Sequence, residues 1–226
     1  MVPMGRVRAK ICGIGTLGDL DVAVAAGADA IGLICGTTHV SEDALSVAQA
    51  RELAAAAPAL ISTVLVTHLV NSDEILDLAE AIGVDTVQVH GEVSIDTLAD
   101  VWRRRPKPLR VVAAVHVTSD DAVTLAKEVS ALSHAVLLDS RTASRLGGTG
   151  LTHDWGISRR IVDALSEQRR HVVLAGGLDG TNVAEAIQAV APYGVDANSR
   201  LKGPDGRKDP RACEAFVQAA NTSQRY

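Results

Sequence analysis

Apolar positions along the chain switch repeatedly between two rhythms. Short runs rich in Val, Ile and Leu alternate with Ala/Leu-rich stretches whose apolar positions recur every three to four residues, with Gly or Pro between them. The first rhythm predicts strands over Arg8–Cys12, Ala30–Cys35, Thr63–Thr67, Thr86–His90, Arg110–Val117, Ala135–Asp139, His171–Ala175 and Gly194–Ala197. The second predicts helices over Asp19–Ala26, Val47–Ala57, Asp73–Ile82, Ile95–Arg104, Ile157–Glu167, Thr181–Val190 and Pro210–Ala220, and one running from caps at Ser119 and Asp120 to Ser130. Gly27, Pro58 and Gly83 supply stops. Alternation implies a parallel sheet, because parallel strands need crossover helices. Eight such units in 226 residues suit an α/β fold, a closed (β/α)8 TIM barrel forming a single domain over residues 1–226. An open doubly wound sheet is the competing arrangement.

Alternation within strands sorts residues onto two faces. Thr86, Gln88 and His90 oppose Val87 and Val89; Ala135, Leu137 and Asp139 oppose Val136 and Leu138; Lys10 and Cys12 oppose Ile11; Asp196 and Asn198 oppose Val195 and Ala197. In a barrel the polar set points inward and gathers at the C-terminal strand ends, where active sites of this fold lie. An inward charge is costly unless paired or put to use. A structural ion network of Lys10, Asp139 and Asp196 is the plain reading; a catalytic mouth is the reading favoured by the same parity in four strands.

Composition narrows the classes. With 47% hydrophobic and 22% charged residues the chain is neither disordered nor a disulfide scaffold. A net charge of −5 and no block of five like charges give no nucleic-acid footprint, and 2% aromatics give no stacking platform. Cys12, Cys35 and Cys213 are odd in number and sparse, which fits free thiols in a reducing cytoplasm. The start has no apolar signal core, and no apolar stretch is long enough to span a bilayer, so a membrane partner is not expected.

Cys12 and Asp139, each at a strand end, form a possible base and acid pair, with Lys10 placed to favour a thiolate. A lone buried Cys is more often a small core residue. Gly147-Gly148-Thr149-Gly150, Gly176-Gly177 and Asn198-Ser199-Arg200 follow the sixth, seventh and eighth strands. Paired glycines are often mere turns, but after the last two barrel strands they match the usual phosphate site. His39, His68, His90, His116 and His153 fall at strand ends or beyond them, whereas His134 and His171 fall at the opposite end, where a structural role is expected. With no HxH or HxxxH spacing, no metal is expected.

In order and spacing, KICGI at 10–14, AGADAIG at 26–32, VQVHG at 87–91, LLDS at 137–140, GGTG at 147–150, HDW at 153–155, LAGGL at 174–178, NVAEAI at 182–187, PYGVD at 192–196 and KDP at 208–210 together resemble the phosphoribosylanthranilate isomerase family of tryptophan biosynthesis. The resemblance implies a (β/α)8 barrel without cofactor that converts an N-phosphoribosyl arylamine to a 1-amino-1-deoxyribulose phosphate by an Amadori rearrangement. It implies Asp139 as general acid, Cys12 as base, phosphate contacts from Gly148, Gly176, Gly177, Asn198 and Ser199, and positions near the substrate amine and ring for His90 and Asp196. The partner it implies is a small phosphoribosyl amine, acted on by a monomer or homodimer.

The chain departs from the family in places. The loop at 36–46 lacks the family's Arg and carries Glu42 and Asp43, the wrong sign for an anionic substrate. Ala113 and Leu151 stand where Lys is usual, and Asn198-Ser199-Arg200 replaces SSG. His39 and Arg200 are the candidates for compensating charge. A paralogue acting on another phosphoribosyl amine, a metal-dependent sugar-phosphate enzyme using the His-rich mouth, and a non-catalytic ligand-binding barrel are the other readings.

Overall fold

The computed structural model describes residues 5–38, 40–139 and 154–223. Its strands are β1 (Arg8–Ile11), β2 (Ala30–Cys35), β3 (Ala44–Leu45), β4 (Ser62–Thr67), β5 (Thr86–Val89), β6 (Arg110–His116), β7 (Ala135–Asp139), β8 (His171–Leu174) and β9 (Gly194–Ala197). Between and after them run α1 (Leu17–Ala25), α2 (Val47–Ala56), α3 (Ser72–Ile82), α4 (Ile95–Arg104), α5 (Asp121–Ser130), α6 (Trp155–Ser166), α7 (Val183–Val190) and α8 (Pro210–Thr222). Parallel pairing runs from β1 through β2, β4, β5, β6, β7 and β8 to β9, and β9 pairs back onto β1. The sheet is therefore closed, which excludes the open alternative.

Local chemistry explains the boundaries. Asn71 caps α3 by accepting from Asp73 and Glu74 N–H, and Gly83 ends it in the left-handed region at φ +81°. Ser46 and Gln49 form a capping box on α2. Pro210 opens α8 behind Asp209, which accepts from Ala212 N–H at 2.7 Å. Asp120 does not cap α5: its backbone is already helical, and its carboxylate turns to Arg160. The two-residue β3 was not expected. It pairs with Ile34 and Cys35 of β2, beyond the point where β1 stops.

The parity expectation has a physical counterpart in two apolar layers. Ile11, Leu33, Leu65, Val87, Val111 and Leu138 lie in the large core between barrel and helices. Cys12, Ile34, Val64 and Val66 form a separate small cluster with Ala30 inside the barrel. Ala113 belongs to the outer layer, so its lack of charge takes no cation from the barrel mouth. Among the described residues no helix is long and apolar enough to cross a membrane.

Candidate active site

Strand register brings the polar residues together. Lys10 and Asp196 are direct partners across β1 and β9, and their side chains meet at 2.9 Å with both residues buried. Gln88 on β5 and His90 just past its end share a face, and Gln88 Nε2 lies 3.0 Å from His90 Nδ1. His90 Nε2 then lies 3.3 Å from Asp139 Oδ2 at the end of β7. His116 is in register with Asp139. The ligand atoms of His90, His116 and Asp139 lie within 4.8 Å of one another. His68 stands edge-on to His90, with ring centres 5.4 Å apart.

Cys12 follows the last residue of β1, and its N–H donates to Ala197 O at 2.9 Å. Space for its thiol comes from Gly32: a Cβ there would meet Cys12 Sγ at 2.6 Å and Lys10 Nζ at 3.1 Å. Burial pushes the Cys12 thiol up, against the pull of the Lys10 and Lys208 ammoniums. Burial pulls Lys10 down, but the charges of Asp196 and Cys12 outweigh it and hold the ammonium above its ordinary value. Burial lifts Asp196, and the nearby Asp139 carboxylate adds to this against the pull of Lys10.

A second network lies behind Cys12. Lys208 Nζ donates to Asn198 O at 3.1 Å and to Asn198 Oδ1 at 2.8 Å, and Asn198 Nδ2 donates to Asp43 Oδ2 at 2.9 Å. Asp43 also pairs with Lys202, so the unfavourable charge expected in the loop after β2 is neutralised from the loop after β9. Gly13, at φ +71°, leaves no room for a Cβ, which would come 2.3 Å from Asn198 Oδ1. Lys208 and Lys202 were not singled out in the sequence, and Gln88 was read only as part of an inward polar face. Lys208 sits in the KDP motif and Gln88 in VQVHG, whereas Lys202 sits in neither.

Around the phosphate loops, Gly176 and Gly177 both take positive φ, +89° and +65°, which only glycine adopts without strain. Asn182 Nδ2 holds Gly177 O at 2.8 Å, ahead of α7. Ser199 starts a short 3-10 turn, Ser199–Leu201. Arg200 pairs with Asp179 at 2.8 Å in the neighbouring loop, so its cation is already engaged. Burial raises the Asp179 carboxyl, but the bonds from Thr181 and Arg200 win and hold it below its usual range. His39, Gly148 with its GGTG neighbours, Leu151 and His153 lie outside the described residues.

A closed barrel with a buried carboxylate, a buried thiol and glycine-lined loops at one end invites comparison with known enzymes. The family model described as N-(5'phosphoribosyl)anthranilate (PRA) isomerase matches residues 9–219. The chain belongs to this family. It is 42% identical over 217 residues, 96% of this chain and 99% of the relative, to N-(5'-phosphoribosyl)anthranilate isomerase of Natronomonas pharaonis. It is 39% identical over 216 residues, 95% of this chain and 94% of the relative, to N-(5'-phosphoribosyl)anthranilate isomerase 2 of Methanosarcina mazei. The phosphoribosyl anthranilate isomerase of Thermotoga maritima superposes with a TM-score of 0.81 at 31% identity, covering 95% of this chain and 98% of that one. A second solved isomerase, in complex with reduced 1-(o-carboxyphenylamino)-1-deoxyribulose 5-phosphate, gives 0.78 at 29% identity with the same coverage.

Proposed function

We propose that this isomerase-family barrel rearranges N-(5-phosphoribosyl)anthranilate to the 1-amino-1-deoxyribulose 5-phosphate of tryptophan biosynthesis, with Asp139 as general acid and Cys12 as general base. Asp139 gives a proton to the ribose ring oxygen, the C1–O bond breaks, and the nitrogen lone pair forms the iminium. Cys12 removes the C2 proton, the electrons of that bond form C1=C2 while the C1=N pair returns to nitrogen, and the enolamine tautomerises to the ketone. His90 sits against Asp139 and holds the carboxyl toward the substrate. Lys10 and Asp196 orient the sugar, and Lys10 with Lys208 pulls Cys12 toward thiolate against burial and the Asp196 charge. Gly176, Gly177, Asn198 and Ser199, with Gly148, supply donors to the phosphate. His39 and Arg200 are proposed for the substrate's anionic end; Arg200 would exchange Asp179 for substrate.

The observation that carries this reading is the family match over residues 9–219 together with Cys12 and Asp139 buried at the same end of one barrel. We place the chain in the cytoplasm as a single barrel domain, on its three free cysteines, and expect a monomer or homodimer, which light scattering distinguishes.

The test is loss of substrate fluorescence with freshly made phosphoribosylanthranilate. Asp139→Asn and Cys12→Ser are each expected to lower turnover by about 10²-fold or more, as for general acid–base groups. Normal rates in both variants would overturn the assignment. A folded wild type with no turnover would direct the search to phosphoribosyl amines without a carboxylate.

A further inference from the structure

We infer that His90, His116 and Asp139 form a binding site for a borderline transition-metal dication, zinc being the representative, and that its occupation blocks the isomerase reversibly. The block rests on the proposed acid role of Asp139; the binding does not.

Three adjacent strands supply the ligands. His116 and Asp139 are register partners on β6 and β7, and His90 comes from the end of β5. The 3.3 Å between His90 Nε2 and Asp139 Oδ2 is close to the edge of a tetrahedral zinc site, about 3.4 Å for bonds of about 2.0–2.1 Å. All three ligand atoms lie within 4.8 Å, so His116 needs only a side-chain adjustment to complete the face. Two imidazoles and one carboxylate select zinc, cobalt or nickel over magnesium or calcium, which want oxygen ligands.

The surroundings suit a metal as well. A metal on His90 Nε2 requires the proton on Nδ1, where Gln88 lies 3.0 Å away. The Gln88 amide presents either its NH2 or its oxygen there, so a half-turn converts it from donor to acceptor and gives the orienting bond that ligating histidines need. Asp196 adds negative charge nearby, and its Oδ1 has no hydrogen-bond partner among the described residues. With Asp139 ligated, the carboxyl has no proton to give to the ring oxygen. The sequence hides the site because its ligands come from three separate strands, with no paired spacing.

Titration of chelator-treated protein with zinc by calorimetry, with cobalt by visible absorption, and with either ion during turnover tests this. His116→Gln removes one ligand without touching the proposed acid or base. Wild type should bind one zinc and lose turnover, restored by chelator. His116→Gln should keep turnover within about twofold and need at least about tenfold more zinc for half-inhibition, the loss typical of weakened coordination. Equal zinc affinity in the two proteins, or a cobalt spectrum with a thiolate charge-transfer band pointing to Cys12, would overturn the site. His116-dependent zinc binding by a wild type with no isomerase turnover would uphold the site and overturn the isomerase reading.

Discussion

Gly32 shows how an absent side chain makes room for a buried thiol and its neighbouring ammonium. Its hydrogen faces Cys12 Sγ and Lys10 Nζ, both of which a methyl group would displace. Gly32→Ala should therefore lower kcat/KM by about 10²-fold, since misplacement of a reacting group by about 1 Å costs that much. Steady-state kinetics check it, with circular dichroism confirming the fold. Protonation is the second matter at this scale. Under the proposed roles the reactive form needs Asp139 protonated and Cys12 ionised, the reverse of the ordinary order of carboxyl and thiol acidity. Between the two pKa values one population falls as the other rises, so kcat/KM stays flat; it declines once the thiol is fully ionised. Because burial pushes Cys12 above its ordinary 9.0, the alkaline decline belongs above pH 9.0. The difference in thiolate absorbance between wild type and Cys12→Ser should titrate there too, separated from Cys213, which burial pushes up to about 11. A Cys12 midpoint below 9.0 would contradict the burial argument.

Strands at the opposite end of the barrel are joined by a recurring device. The residue just before β2, β5 and β7 is Asp29, Asp85 or His134, and each accepts the N–H of the second residue of the preceding barrel strand: Ala9 at 2.9 Å, Thr63 at 2.8 Å and Val111 at 3.0 Å. These N–H groups lie where the ladder begins and would otherwise be buried without a partner. Asp85→Ala removes the acceptor for both Thr63 N–H and Thr63 Oγ1, so it should destabilise by about 1–3 kcal/mol in urea melts while leaving kcat unchanged. This scale also divides what was legible. Strand and helix rhythm is local, so the eight units and their inward faces could be read from the chain. The inner pair Lys10–Asp196 could be read only as part of an ion network with Asp139, set beside a catalytic mouth, because its partners are 186 residues apart. Asp43 looked misplaced because its neutralising partner Lys202 is 159 residues away. Asp120 looked like a cap because residue type alone does not reveal a helical backbone.

Across the whole molecule the two ends of the barrel do different work, as the fold leads one to expect. The C-terminal ends of the strands collect Cys12, His90, Asp139 and Asp196, buried titratable groups to which we assign the chemistry. The other end collects brackets, stacks and ion pairs: Asp29 with Arg6 and Arg8, His171 against Tyr193, and His134 against Trp102. His134 links this division to pH. Burial first, then the charges of Arg105 and Arg110, hold its imidazole below the ordinary 6.5. The unfolded chain therefore takes up a proton more readily than the folded one. Folding stability contributed by neutral His134 is complete above pH 6.5 and is lost as the pH falls toward the lowered folded value. His134→Ala should be less stable than wild type at pH 7.5, with the gap narrowing at pH 5.5 because wild type alone carries this proton-linked loss. Urea denaturation of both proteins at the two pH values measures it, and kcat/KM at pH 7.5 should be the same for both. An equal gap at both pH values would show that His134 acts by packing on Trp102 alone. A fall in kcat/KM would show that the two ends of the barrel are coupled rather than separate.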